Sequence, residues 1–277
     1  MRQIKSQFRG KHDDFLLCDE PSELVTAFEQ FEVKHRSGSS WQGNVGTAES
    51  LRRAQSGDFS LVAESDALVA KLEDQIIRTK KWRNIDDVVG SLPNVPAYLA
   101  GVPQSMRRRT REDRDDAPIT VFVDLTSSGG IGSHKVMLRG ATVLAFARLL
   151  TEHRAVTLWA GAALGGPNSS TVAWRIDTAP MDLARAAHLL CSTSMSRGVG
   201  YALATAFGRN IQGRWPFSNF DLHKRTAQER MQAVFATELC YVPPIYLTDP
   251  LVSDPLGWIK RELLRYTGQG GEEDAAQ

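Results

Sequence analysis

Cysteine is scarce and odd in number: Cys18, Cys191 and Cys240 are the only three, and they stand far apart. That argues against a disulfide framework or a paired-cysteine zinc site and suits buried thiols in a reducing compartment. The six histidines are scattered, with no His-x-x-x-His pair to favour a metal. Long apolar runs are missing, and nothing approaches the roughly 20 residues needed to span a bilayer. The opening MRQIKSQFRGKHDDF has basic residues but no apolar centre, so it does not read as a secretory leader. Excess charge is missing too. The 33 Lys and Arg against 32 Asp and Glu leave +1, which gives no global electrostatic case for nucleic acid. A soluble, cytoplasmic protein with no membrane partner is expected, and nucleic acid is disfavoured as a partner without being excluded.

What is present centres on Ile119 to Gly130, ITVFVDLTSSGG. Ile119 to Val123 are all β-branched or aromatic, which favours a strand buried on both faces. The run ends at Asp124, followed by Thr126, Ser128 and the pair Gly129–Gly130, and a long apolar-periodic segment starts at Lys135. The pattern is strand, polar turn, helix. Ligands of open parallel sheets bind just beyond the carboxyl ends of the strands, where strand order reverses. A carboxylate and two hydroxyls there form an all-oxygen corner, the donor set that Mg²⁺ prefers. The bland alternative is a buried strand whose Asp and Ser/Thr merely cap the next helix.

Asp124, Thr126 and Ser128 resemble the Asp-x-Ser-x-Ser motif of the metal-ion-dependent adhesion site in von Willebrand factor A-like domains, with one Thr-for-Ser change. A later hydrophobic strand, Ile245 to Leu247, ends in Thr248-Asp249, similar to that family's Thr-Asp motif, with Pro250 in the usual Gly position. The middle motif, a Thr before an Ala-Leu pair, is not matched. Arg197 stands near that place before Ala202-Leu203, with Ser196 beside it, and an Arg there is able to replace the cation by pairing with Asp124.

The resemblance implies an α/β domain with a doubly wound, mostly parallel, Rossmann-like sheet over residues 117–267. It also implies Mg²⁺ or Mn²⁺ held by Asp124, Thr126, Ser128 and Asp249, with Ser196 as a weak addition. The partner would be a protein that completes the coordination with an acidic residue.

Around this domain the chain reads as a helical region over 1–105, a charged linker at 106–116 (MRRRTREDRDD) and a disordered tail at 268–277. Residues 1–15 are polar and read as loosely ordered. Helices are expected over Pro21–Glu32, from Thr47 to a stop at Gly57, and over Leu61–Ile77. Trp41 and Trp82 read as packing residues. Trp41, Gly43, Thr47 and Gly57, then Tyr98, Leu99, Gly101 and Pro103, resemble a pattern in uncharacterised bacteriophage and mobile-element proteins. That resemblance implies a phage or plasmid origin and a bacterial host cytoplasm.

In the second part, a helix over Lys135–His153 contains Gly140, whose helix cost of roughly 1 kcal/mol relative to Ala implies close approach to a neighbour. Strands are expected at Ala155–Ala160 and, antiparallel, at Thr171–Ile176. Ser192–Gly200 reads as a loop and Thr226–Leu239 as a helix.

Three functions follow from this reading. The first is metal-assisted protein–protein interaction. The second is a metal-free structural or replication-associated phage protein. The third is a haloacid-dehalogenase-like phosphotransferase with Asp124 as nucleophile, but that chemistry wants a second Asp where Thr126 stands.

Overall fold

Six residues with no polar side chain except Thr120 and Asp124 make the central strand, β6 (Ile119–Asp124), and every one of them is buried. The computed structural model describes residues 1–8, 11–77, 83–90, 92–110, 117–127, 129–165, 169–212, 218–219, 224–235, 238–245 and 249–267. Trp82, the second half of the charged run (111–116) and the tail at 268–277 lie outside them. The strands are β1 (Arg2–Phe8), β2 (Lys11–Cys18), β3 (Arg83–Asp87), β4 (Leu92–Pro93), β5 (Met106–Thr110), β6, β7 (Val156–Gly165), β8 (Ser169–Ile176), β9 (Ser218–Asn219) and β10 (Glu238–Val242). The helices are α1 (Ser22–Gln30), α2 (Thr47–Ser56), α3 (Phe59–Ile77), α4 (Val95–Leu99), α5 (Ser133–Thr151), α6 (Leu183–Cys191), α7 (Tyr201–Gln212), α8 (Lys224–Phe235), α9 (Pro250–Ser253) and α10 (Pro255–Thr267).

The main sheet runs β1-β2-β8-β7-β6-β10, with β9 on the end of β7. The pairs β2/β8, β7/β6 and β6/β10 are parallel, while β1/β2 and β7/β8 are antiparallel. The architecture is therefore mixed α/β with a mostly parallel sheet. The antiparallel β8 matches the expected hairpin-like return.

Alternation along each strand splits the core in two. Val121 and Val123, with Leu158 and Ala160 of β7, face a large cluster built with α1 to α3, α5 to α7, α9 and α10. Phe122, Trp159, Phe15, Leu17 and Tyr241 face the other side, where α8 lies over them with Ala227 and Met231. Gly140 behaves as expected. A Cβ there would come within 2.6 Å of Cys191 Sγ and 2.7 Å of the Leu190 carbonyl, so the missing side chain is what lets α5 and α6 touch.

Three expectations need correction. Residues 1–15 are not loose: Arg2–Phe8 and Lys11–Cys18 are two strands of the main sheet, and β2 lies between β1 and β8. The apolar run Phe15-Leu16-Leu17-Cys18 drives this, because it can be buried on both faces only inside a sheet. The N-terminal region is thus not purely helical. Part of the charged linker, Met106–Thr110, is the middle strand of a separate three-stranded sheet, β3-β5-β4.

The third correction bears on the site. The strand beside β6 is Glu238–Val242, not Ile245–Leu247. The helix before it stops at Phe235. Leu239, Cys240, Tyr241 and Val242 carry the β-favouring side chains, and Pro243-Pro244 end the strand because proline offers no ladder N–H. Ile245 keeps a single parallel bridge to Ser127 and donates its N–H to the Thr126 carbonyl at 3.0 Å. Tyr246, Leu247 and Thr248 lie outside the described residues.

Candidate functional site

Asp124 ends β6 with no exposed surface. Its Oδ1 accepts two hydrogen bonds from Thr126, from the backbone N–H at 2.9 Å and from the hydroxyl at 2.7 Å. Its Oδ2 accepts from the Tyr241 hydroxyl at 3.3 Å, and the Ala163 amide donates to the carboxyl as well. Burial pushes the carboxyl up to about 6 from an ordinary 3.8, against the downward pull of the Thr126 bonds and of Arg139.

Arg139 is the residue that sequence reasoning did not find. It sits on α5, 3 % exposed, and pairs with Asp249, Nε to Oδ2, at 3.2 Å. Its Nη2 donates to the Pro243 carbonyl at the end of β10. Burial lowers its guanidinium pKa, and Asp249 first and then Asp124 raise it back. The guanidinium thus pairs directly with Asp249 and acts on Asp124 through space, without a contact. A signal for it was present: Arg139 lies on the same helical face as Val136 and Val143, three residues before and four after, so it belongs to an apolar stripe.

Asp249 does reach the corner, but by a different path. It is the N-cap of α9, where its Oδ1 accepts from Leu251 N–H at 2.9 Å, and its other oxygen is left for Arg139. Ser196 is buried and donates to the Thr193 carbonyl at 3.3 Å. It lies on a π-helical turn, Ser194–Gly200, that replaces the expected loop. Ser128 lies outside the described residues.

Arg197, the expected replacement cation, has a different role. Its Nε donates to Ser127 Oγ and its Nη1 to the Trp41 carbonyl, each at 3.1 Å, and its Nη2 to the Ile131 carbonyl. Its guanidinium lies 5.3 Å from the Trp41 ring centroid. Trp41 meets Tyr201 edge to face at 6.3 Å. Both aromatics are about 40 % exposed (39 % and 41 %), so they are not fully packed away as expected for Trp41. They stand beside the β6–α5 turn: a Cβ on Gly129 would lie 4.0 Å from Trp41 Nε1. Gly43, at φ +76°, turns the chain under Trp41, where a Cβ would come within 2.3 Å of Thr193 Oγ1.

A family model described as a domain of unknown function, DUF7192, matches residues 9–231. The chain belongs to that family. No curated protein and no solved structure matches it. The DUF7192 match takes in Trp41, Asp124, Arg139 and Arg197 and stops before β10 and Asp249.

Do these residues fit a divalent ion? Of the expected donors that are described, Asp124 Oδ1 is taken twice by Thr126 and the Thr126 hydroxyl proton points at that carboxylate. Asp249 is split between a helix cap and Arg139, and the Ser196 hydroxyl is turned to a carbonyl. A buried guanidinium already pairs with Asp249 and adds its positive charge to the surroundings of Asp124. A cation of charge +2 beside it would meet repulsion in a low-dielectric site. The donor set fits an arginine-centred corner better than Mg²⁺ or Mn²⁺. A nucleophilic role for Asp124 also fits poorly, since the carboxylate has no exposed surface for a phosphoester to reach.

A second polar cluster in the DUF7192 chain has the order of a hydrolytic triad without its access. Asp58 Oδ2 lies 3.3 Å from His188 Nδ1, His188 Nε2 lies 3.1 Å from Ser50 Oγ, and Ser50 Oγ lies 2.9 Å from Ser194 Oγ. Ser50 and His188 have no exposed surface, so the hydroxyl is closed to a substrate. The Ser50 carbonyl also lies 2.9 Å from Nε2 and competes for that nitrogen. The cluster ties α2, α6 and the π-helical turn together, as expected for a core histidine.

Proposed function

We propose that this chain is a protein–protein interaction module of von Willebrand A-like type, in a bacteriophage or mobile-element protein. In this reading the acidic corner is built around Arg139 instead of a divalent ion, and a protein partner docks on Trp41 and Tyr201 at the carboxyl end of the sheet. The observation that carries it is the aromatic pair beside the β6–α5 turn. Two large rings are each about 40 % exposed (39 % and 41 %): Trp41 is held by a buried arginine that joins it to Ser127 and Ile131, and Tyr201 meets Trp41 edge to face. Rigid, half-exposed Trp and Tyr flanked by Arg are the composition of interface hot spots. The fold-level part is supported by β6–α5–β7–β8 with β8 antiparallel, and by the parallel strand β10 on the far side of β6.

A second reading keeps the metal. It is favoured by Asp124 and Thr126 lying side by side and by Asp249 pairing with Arg139, whose charge also acts on Asp124. There Mg²⁺ would be held by Asp124, Thr126, Ser128 and Asp249, and a partner's acidic residue would complete the site.

The test is capture of partner from host-cell lysate on the immobilised full chain, with EDTA or with Mg²⁺, compared with a Trp41→Ala/Tyr201→Ser double variant. The first reading predicts equal capture in both buffers and at least a 30-fold loss in the variant, the equivalent of about 2 kcal/mol from hot-spot truncation. Capture that requires Mg²⁺ selects the second reading. Capture untouched by the double variant removes the aromatic pair from the interface.

A further inference from the structure

A net charge of +1 hides an uneven distribution. The chain has 32 acidic residues, yet none falls within 33–48, 125–151 or 183–212. These three stretches fold into the elements that meet at Trp41. They are the loop that carries it, the β6–α5 turn with α5, and the π-helical turn with its flanking helices α6 and α7. Lys34, Arg36 and Lys135 stand exposed on them, and none has a carboxylate partner among the described residues. Exposed arginines elsewhere do have one: Arg2 pairs with Asp19, Arg52 with Glu49, Arg107 with Asp86 and Arg261 with Asp254. The Arg36 amide donates to Thr47 Oγ1 at 2.9 Å, which closes the loop that bears Trp41.

The apolar part of this surface is of one kind. Trp41 and Tyr201 are the only large exposed hydrophobic residues of the three stretches among the described residues, and both are aromatic. The β6–α5 turn beside them is bare. A Cβ on Gly130 or Gly132 would meet nothing within 4 Å, so a ligand can lie against the backbone there. Lysine is depleted in protein interfaces. Half-exposed rings set among unpaired cations, with no carboxylate near them in sequence, are instead what a single nucleic-acid strand needs. Cations follow its phosphates, and rings stack on its bases whatever their order.

We propose that this face also binds single-stranded nucleic acid, with phosphates on Lys34, Arg36 and Lys135 and bases against Trp41 and Tyr201. The strand and the protein partner proposed above share the two rings and exclude each other, and neither proposal requires the other.

Fluorescence anisotropy of a fluorescein-labelled deoxythymidine oligomer of about 20 nucleotides, titrated with the full chain, reads the result. The wild type is expected to bind with a dissociation constant below about 100 µM at low salt. Three phosphate contacts weaken binding roughly 20-fold between about 50 and 200 mM salt. Arg36→Glu and Lys135→Glu are each expected to weaken it several-fold and to flatten that salt dependence, with an unchanged melting temperature as the folding check. Trp41→Ala is expected to cost at least about fivefold, while Trp41→Phe, which keeps a ring, stays near wild type. A duplex of matching length binds more weakly, because its bases are already stacked. Absence of binding by the wild type overturns the proposal, as does binding unchanged in all three of the weakening variants. So does a duplex that binds as tightly as the single strand. Poly-L-glutamate that displaces the oligomer as well as unlabelled oligomer does also overturns it, and assigns the basic rim to an acidic protein segment.

Discussion

Replacing Arg139 with Leu is expected to destabilise the protein by about 3–5 kcal/mol, the cost of removing one partner from a buried ion pair. The reason lies in what stays behind. Asp249 keeps its helix cap but loses the ion pair at 3.2 Å, the Pro243 carbonyl loses its donor, and Asp124 loses the cation nearest to it. For a chain of this size that corresponds to a fall in melting temperature on the order of 10 °C. Thermal melts followed by circular dichroism at neutral pH are the check. Arg139→Lys should fall between wild type and Leu, because a lysine keeps the charge but not the forked geometry that reaches both a carboxylate and a carbonyl. A loss below about 1 kcal/mol for Leu would mean the guanidinium is not what holds the corner together.

Asp124→Asn should gain on the wild type with rising pH, by about 3 kcal/mol between about pH 4 and pH 8. The sign follows from linkage. The folded carboxyl titrates at about 6, above the ordinary 3.8. The folded state therefore holds the proton more tightly than the unfolded chain. Above about pH 6 the buried charge is a full cost to folding. Between 6 and 3.8 that cost fades, and below 3.8 both states are protonated. A carboxyl raised that far above its unfolded value is worth about 3 kcal/mol. Asparagine never carries the cost and keeps an acceptor oxygen for Thr126. His188 works in the opposite direction, since burial holds its ring below the usual 6.5 and the wild type therefore loses stability from that residue as pH falls below 6.5. His188 is common to both proteins, so it cancels in the difference. Urea unfolding of the pair across this range measures it, and a difference independent of pH would show that Asp124 titrates normally.

Much of the corner was legible in the chain. Five β-favouring residues before Asp124 place that carboxylate at the end of a buried strand, and Thr126 two residues on meets it as the spacing implies. Gly140 announces a close helix contact by standing in a helix without another reason. The rest was hidden for physical causes. Arg139 is one of three basic residues in a long, mostly apolar helix, with Lys135 and Arg148, and composition reads such a residue as solvated unless its stripe is examined. β10 follows helix α8 after a short connection, so Leu239 to Val242 read as the end of the helix when their cross-strand partners in β6 are not known. β1 has only Ile4 and Phe8 as apolar residues and lies at the rim of the sheet, with no strand beyond it among the described residues, and β2 is betrayed only by four apolar residues in a row. The seat of Trp41 depends on Arg197, 156 residues later in the chain, which no local pattern encodes.

Whether Arg139 is the cation of the acidic corner is tested most directly by titrating the wild type with Mg²⁺ and Mn²⁺ and following the melting temperature beside that of Asp124→Ala. A divalent ion bound only to the folded state would stabilise it by about 2.7 kcal/mol at a hundredfold excess over its dissociation constant. The predicted result is no saturable stabilisation of the wild type by either ion. Saturable stabilisation that disappears in Asp124→Ala would contradict the role given to Arg139 and return the corner to a metal.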